Sequence, residues 1–255
     1  MDWSGKAILI TGASSGIGEA LAVEFGRRGA AVGLLARRAE LLREVAGKVE
    51  AAGGRAFAVA VDVREAKEVQ AATTNVREHF GRIDALIANA GFGEITLARD
   101  FEIEVVTQIL SVNLLGAMNC VAAVLPEMVA RGSGQIVGIS SLAAYRGLPG
   151  SGAYCASKAA LSTFLESLRV ELRASGVYVT TIHPGFVDTP MTQGRNQQMP
   201  YLLKADRAAQ LMVRAIEARR RTYNFPWQLA AWARLGQLLP DALYDRMLAK
   251  ALLRQ

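Results

Sequence analysis

Short aliphatic runs separated by stretches of helical spacing recur along this chain, and that alternation restricts its fold more than any other feature. The runs fall at residues 7–10, 31–36, 56–61, 85–88, 135–140 and 177–183 and are dominated by Ala, Val, Ile and Leu. They are apolar on both faces, as the strands of a parallel sheet covered by helices on each side must be. A seventh short strand is expected at 223–225, before Pro226. The intervening segments carry helical periodicity; Ala20, Val23, Glu24, Arg27 and Arg28 show it, with the apolar members predicted to point inward. An eight-fold barrel needs eight strand–helix units, whereas beyond Phe225 only helical periodicity remains. The expected architecture is therefore α/β: a doubly wound parallel sheet of about seven strands with helices on both faces, plus a C-terminal helical extension. The division expected is residues 1–225 for the sheet domain and 226–255 for the extension.

Nothing in the composition argues for more than one core. The 255 residues contain no Pro/Gly/Ser-rich linker and no internal repeat. Cys120 and Cys155 have no Cys or His neighbours at metal-ligand spacing, so neither a disulfide framework nor a metal site is expected. The first strand begins almost at once, without a basic region leading into an apolar stretch, so a secretory signal is not expected. No window of 18 uninterrupted apolar residues occurs. These features favour a cytoplasmic setting. Of the net charge of +6, residues 219–255 carry +5, through Arg219, Arg220, Arg221, Arg234, Arg246, Lys250 and Arg254 against Asp241 and Asp245.

Ligands of doubly wound sheets bind beyond the carboxyl ends of the strands, and chemistry-bearing residues stand there. The first strand runs into Gly12-Ala13-Ser14-Ser15-Gly16-Ile17-Gly18 and then a helix. Small residues at such a turn let the backbone approach a pyrophosphate, and the helix N-terminus offers N–H donors to its charge. At the end of the second strand, where an acidic residue would hold the ribose of NAD, the chain has Arg37 and Arg38. Two guanidinium forks suit a 2′-phosphate, so NADP(H) is the expected cofactor, with NAD(H) as the alternative.

After the fifth strand come Ser140 and Ser141, and thirteen residues beyond Ser141 stands Tyr154, followed four positions later by Lys158. Residues four apart share one helix face. A phenol, with a reference pKa of about 10, becomes an acid–base group near neutrality when an ammonium beside it stabilises the phenolate.

The spacing Gly12-x3-Gly16-x-Gly18 together with Tyr154-x3-Lys158 resembles the short-chain dehydrogenase/reductase family, a Rossmann-like fold, over residues 5 to about 225. The resemblance implies an oxidoreductase acting between a carbonyl and an alcohol. It implies Tyr154 as proton donor or acceptor, Ser141 as a hydrogen-bond donor to the same substrate oxygen, and Lys158 as partner of both Tyr154 and the nicotinamide ribose. Asn113, in Ser111-Val112-Asn113-Leu114, would anchor a water linking Lys158 to solvent. Asp62 and Val63 would contact the adenine, Asn89, Ala90 and Gly91 the adenine ribose region, and Pro184, Gly185, Val187 and Thr189 the nicotinamide. Pairing through helices near 100–131 and 152–175 would give a homodimer or homotetramer.

The substrate pocket is expected to be lined by Leu142, Tyr145, Leu148, Phe92 and the segment 186–201, including Met191 and Met199. These residues are mostly apolar and favour a lipophilic ketone or secondary alcohol. The length of 186–201 suggests a mobile lid. A Ser141/His183/Asp188 hydrolase is disfavoured, since Gly138-Ile139-Ser140-Ser141-Leu142 is not G-x-S-x-G. A non-catalytic NADP-binding regulatory protein would have no need of Ser141, Tyr154 and Lys158. The extension has two helical stripes, the second apolar at 243, 244, 247, 248, 251 and 252, and would dock on the body, on a partner subunit or on the inner face of a membrane. Nucleic acid is not an expected partner, as no recognised motif accompanies the charge.

Overall fold

A computed structural model describing residues 2–193 and 199–252 contains one seven-stranded, all-parallel sheet. Its strands are β1 (Ala7–Thr11), β2 (Ala31–Ala36), β3 (Arg55–Ala60), β4 (Ala85–Ala88), β5 (Gly134–Ile139), β6 (Val177–Pro184) and β9 (Thr222–Phe225). Their order is β3-β2-β1-β4-β5-β6-β9. The order reverses between β1 and β4, and a crevice opens there at the carboxyl ends.

Strand periodicity of two feeds two cores from one sheet. Ile8, Ile10, Val32, Leu34, Ile87 and Val137 pack into the layer formed with α1 (Gly16–Gly26), α2 (Ala39–Ala51) and α7 (Ala205–Glu217). Leu9, Leu35, Leu86 and Ile136 face the opposite layer, with α3 (Ala66–Phe80), α5 (Gly116–Arg131) and α6 (Gly152–Glu171). Strand β3 departs from the expected two-sided burial, because it is an edge strand and Arg55 and Ala60 are exposed. Helix α1 departs as well: Val23 is half-buried while Glu24 is buried. Glu24 accepts from Arg27 at 3.0 Å and pairs with Arg28, which also reaches Glu217 on α7 at 2.8 Å. The carboxylate goes inward because two guanidinium groups supply the partners that burial demands.

The helical run at 103–131 is interrupted. It comprises α4 (Ile103–Leu110), a π-helical turn (Ser111–Leu115) and α5, and the N–H of Gly116 donates to the carbonyl of Ser111. By length and a mean hydropathy of 1.8 over its most apolar window this run could cross a membrane, but it packs against the sheet, α3 and α6. The segment expected as a lid is tied at its base by a second small parallel sheet, β7 (Val187–Asp188) with β8 (Leu203–Lys204), reinforced by Leu203 N–H donating to Phe186 at 3.1 Å. Residues 194–198 of that segment lie outside the described residues.

The extension folds as α8 (Trp227–Leu238) and α9 (Asp241–Leu252), following a cis Phe225-Pro226 bond. Both helices lie on this chain's own body. Arg146 donates to the carbonyls of Gly236 and, at 2.8 Å, Leu239, and the Tyr244 hydroxyl donates to the Gly147 carbonyl at 2.6 Å. Arg219 and Arg220 stack on Tyr178 and Tyr223 before β9 begins, whereas α8 starts after β9 ends, a strand length of about 13 Å away. Residues 227–249 carry Arg234 and Arg246 against Asp241 and Asp245 and are balanced in charge. Arg254 lies outside the described residues, as do the side chains of Lys250 and of the stripe positions 251 and 252.

Candidate active site

The turn after β1 is built for close approach. Gly16 adopts φ +61°, a region open to glycine, and a Cβ on Gly18 would lie 2.2 Å from the Gly12 carbonyl. Gly18 lines neither neighbouring cavity; it lets the first turn of α1 pack beneath Gly12. The turn is clamped from β4: the Asn89 amide donates to the Thr11 and Gly12 carbonyls at 2.9 and 3.3 Å, and Thr11 Oγ1 accepts from the Asn89 and Ala90 N–H groups at 3.0 Å. At the N-cap of α1, Ser15 makes no side-chain cap bond, which leaves the first-turn N–H groups to an anion.

A groove follows this turn in two parts. One, of about 290 Å³, is lined by Ser14, Ser15, Arg37, Arg38, Asp62, Val63, Ala90, Gly91 and Phe92. Arg38 donates there to Ser14 Oγ at 3.0 Å and Ser15 Oγ at 2.8 Å. The Asp62 carboxylate is held by Arg64 at 2.7 Å, and that guanidinium keeps it below the usual carboxylate range. Phe92 belongs to this part and not to the substrate pocket expected for it. The other part, of about 180 Å³, is lined by Gly12, Ser15, Gly16, Ile17, Asn89, Gly91, Ser141, Tyr154, Lys158, Pro184, Gly185, Val187 and Thr189. The two parts share Gly12, Ser15 and Gly91, so the groove is continuous from the arginines to Lys158. Its glycine cradle, helix N-terminus and basic end fit a nicotinamide dinucleotide.

A third cavity of about 360 Å³ meets the groove at Ser141 and Tyr154. Leu142, Tyr145, Leu148, Phe186 and Met191 line it as expected, but Met199 and Tyr201 are not among the described residues around it. The β7–β8 tie carries the returning chain to the surface there. Leu229, Trp232, Ala233, Tyr244 and Leu248 of α8 and α9 supply the wall instead.

Around Tyr154 and Lys158 several polar groups have defined partners. Ser141 Oγ accepts the Ala143 N–H at 3.1 Å, so its own proton is left to donate. Lys158 Nζ lies 5.8 Å from the Tyr154 ring centroid and donates to the Ile139 carbonyl at 2.9 Å. It is fully buried, and desolvation pushes its pKa down to about 8. Asn113 is buried on the π turn. Its Oδ1 accepts from Phe92 N–H at 2.9 Å, and its Nδ2 donates to the Phe92 carbonyl and to Ser157 Oγ at 2.9 and 3.0 Å. Its side chain is therefore a strut between the loop after β4 and α6, with both amide hydrogens taken. His183 lies within β6, bonded to Ser162 at 3.1 Å, and burial, aided by the charges of Arg234 and Lys158, pushes its pKa down to about 4. It is a packed, neutral histidine.

The family model for short chain dehydrogenases matches residues 6–200. The chain belongs to the short-chain dehydrogenase/reductase family. As a short-chain dehydrogenase/reductase it is an oxidoreductase acting on CH–OH groups. It is 43% identical over 244 residues to an uncharacterized oxidoreductase of Myxococcus xanthus, covering 96% of each chain. A short chain dehydrogenase/reductase from Burkholderia phymatum, solved with NAD, superposes with a TM-score of 0.86 at 26% identity, over 93% of this chain and 95% of that one. An alcohol dehydrogenase from Thermococcus sibiricus, complexed with 5-hydroxy-NADP, gives 0.77 at 30% identity, over 86% and 94%.

Several residues around this dehydrogenase site escape a reading of motifs. A Cβ on Gly93 would lie 2.9 Å from the Tyr154 ring, and the Gly91-Phe92-Gly93 sequence was the available signal. Thr192, Tyr244 and Leu248 join the third cavity only through tertiary folding.

The buried ammonium has a measurable signature. Lys158 loses its proton near 8 when folded and near 10.5 when unfolded, so between those values the unfolded chain binds more protons and wild-type stability rises with pH. Lys158→Met removes this titration. Its stability relative to wild type is expected to be greatest below about pH 8 and to shrink by about 3 kcal/mol on going to about pH 10.5. Urea unfolding at about pH 7 and about pH 10 measures the difference; a constant difference contradicts a depressed ammonium.

Proposed function

We propose that the chain is an NADP(H)-dependent oxidoreductase that interconverts a lipophilic ketone and a secondary alcohol, with Tyr154 as general acid and base. One arrangement carries this reading: the dinucleotide groove and the apolar cavity meet at Ser141 and Tyr154, with Lys158 buried behind them.

The nicotinamide, when bound, supplies or accepts the hydride. Tyr154 gives its proton to the carbonyl oxygen in reduction and takes one from the hydroxyl in oxidation. Ser141 donates a hydrogen bond to that oxygen, its lone pair already engaged by Ala143, and this preorganised contact favours the developing charge. Lys158 stabilises the phenolate and faces the ribose side of the groove. Asn113 holds the Phe92 backbone and Ser157, and so fixes the wall on which Gly91 and Lys158 meet.

The preference for NADP(H) over NAD(H) is supported by Arg38, which is held over Ser14 and Ser15, and by Arg37 beside it. Asp62, the carboxylate lining that part of the groove, is already paired with Arg64. The lipophilic substrate class is supported by the leucine, phenylalanine, methionine and tryptophan side chains of the 360 Å³ cavity. Self-association as a homodimer or homotetramer is supported by the exposed Ile103, Leu115 and Val170 on the helices α4 to α6.

Tyr154→Phe is expected to abolish NADPH consumption with apolar ketones while NADPH still binds; undiminished turnover would sink the proton-transfer assignment. Arg38→Ala should raise the dissociation constant for NADPH about tenfold or more with little change for NADH. Equal effects on both would exclude a 2′-phosphate site at Arg38. Leu115→Glu combined with Val170→Glu should lower the molar mass in light scattering, and an unaltered mass rejects pairing through these helices.

A further inference from the structure

The apolar cavity has one wall made by the chain between Ser141 and Tyr154 and another made by α8 and α9. Arg146 and Tyr244 tie the two walls together. Arg146 comes from the first, and its guanidinium donates to the Gly236 carbonyl and to the Leu239 carbonyl at 2.8 Å, where α8 ends. It also donates to Asp241 at 2.7 Å, where α9 begins, and it stacks 3.9 Å from the ring centroid of Tyr244. Tyr244 returns the contact through its hydroxyl to the Gly147 carbonyl at 2.6 Å.

We propose that Arg146 is the positioning residue that latches the α8–α9 hairpin onto the catalytic loop and so sets how large a substrate the pocket accepts. This rests on the substrate occupying the 360 Å³ cavity, as argued above.

The energetics single out Arg146. A helix leaves its last carbonyls without intrahelical partners, and a cation at that end satisfies them and opposes the helix dipole. The Asp241 bridge contributes little, because its carboxylate is 95% exposed. The carbonyl bonds and the stacking on Tyr244 hold the hairpin, and Arg146 itself is only 19% exposed. Apolar burial is a smaller anchor, since Ala230 is the one buried side chain of α8 and Leu229 packs near Gly185. The wall residues Leu229, Trp232, Ala233 and Leu248 keep their places only while the hairpin is held. A planar fork with several donors makes all of these contacts at once, so lysine reproduces the latch only in part.

The test uses the full chain with Arg146→Ala, Arg146→Lys and Tyr244→Phe. Hydrogen exchange is read first, and it requires no activity. Arg146→Ala should lose protection across 227–249 while the seven-stranded sheet keeps its own, with Arg146→Lys and Tyr244→Phe intermediate. Unchanged protection at 227–249 overturns the latch. Selectivity is read second, as the ratio of kcat/KM for a bulky apolar ketone to that for a small one under saturating NADPH. In Arg146→Ala the ratio should change about tenfold, chiefly through KM, and Arg146→Lys should restore part of it. A loosened hairpin with an unaltered ratio overturns the role in selectivity. Absence of turnover in the wild type with every ketone tried would count against the proposed function instead, and leaves the exchange result to decide the latch.

Discussion

An ammonium group is costly to remove from water, and the placement of Lys158 determines much of what surrounds it. Its Nζ lies on the carbonyl of Ile139 at the end of β5, and a side chain at Gly91 would reach to 3.3 Å from it at the end of β4. Asn113 closes the third side from the π turn, and Ser157, on the same helix as Lys158, is tied to Asn113. Ser140 and Ser162 donate to the Lys158 carbonyl at 3.0 and 2.8 Å and so fix the helix on which the lysine rides. Two neighbouring strand ends, an irregular helix and the start of α6 are thereby locked into one geometry. The phenol of Tyr154 inherits its position from that lock.

Much of this was legible in the sequence, for identifiable reasons. Strand runs and the glycine turn are local, so β1, β2, β4 to β6 and the turn from Gly12 to Gly18 could be read from spacing, whereas the expectations for Asp62, Asn89 and the 184–189 segment came from the family resemblance. Edge position is not local: β3 reads like a central strand, and only the sheet order exposes Arg55 and Ala60. Partner identity is not local either. Glu24 looks like a solvated helix residue until Arg28 and, from α7, Glu217 complete its network. Asn113 was recognised as important, but its side-chain partners, Phe92 and Ser157, lie 21 and 44 residues away in the chain. The tail was the least legible part. Its apolar stripes indicated a surface to be covered and carried no sign of which surface, and Arg146 bears no motif.

The groove and the apolar cavity divide the labour of the fold. Most groove residues come from the turns that follow β1 to β6, with Tyr154 and Lys158 supplied by α6, so the sheet largely fixes their spacing. The cavity shares Ser141, Tyr154, Pro184 and Gly185 with the groove, and takes the rest of its wall largely from the longer connection after β5 and from helices beyond β9. A rigid half and an adjustable half therefore meet at Ser141 and Tyr154. Changes in α8 and α9 can reshape the cavity while leaving Tyr154 and Lys158 in place.

The distribution of tryptophan has an optical consequence. Trp3 is sealed in the core, edge-on to Phe25 at 5.1 Å, whereas Trp227 and Trp232, 73% and 69% exposed, both ride on α8. Indole emission shifts with the polarity of its surroundings, so the chain's ultraviolet fluorescence divides into a constant blue component and a red component belonging to the hairpin alone. The protein thus carries a spectroscopic gauge of its own pocket wall, readable without any label.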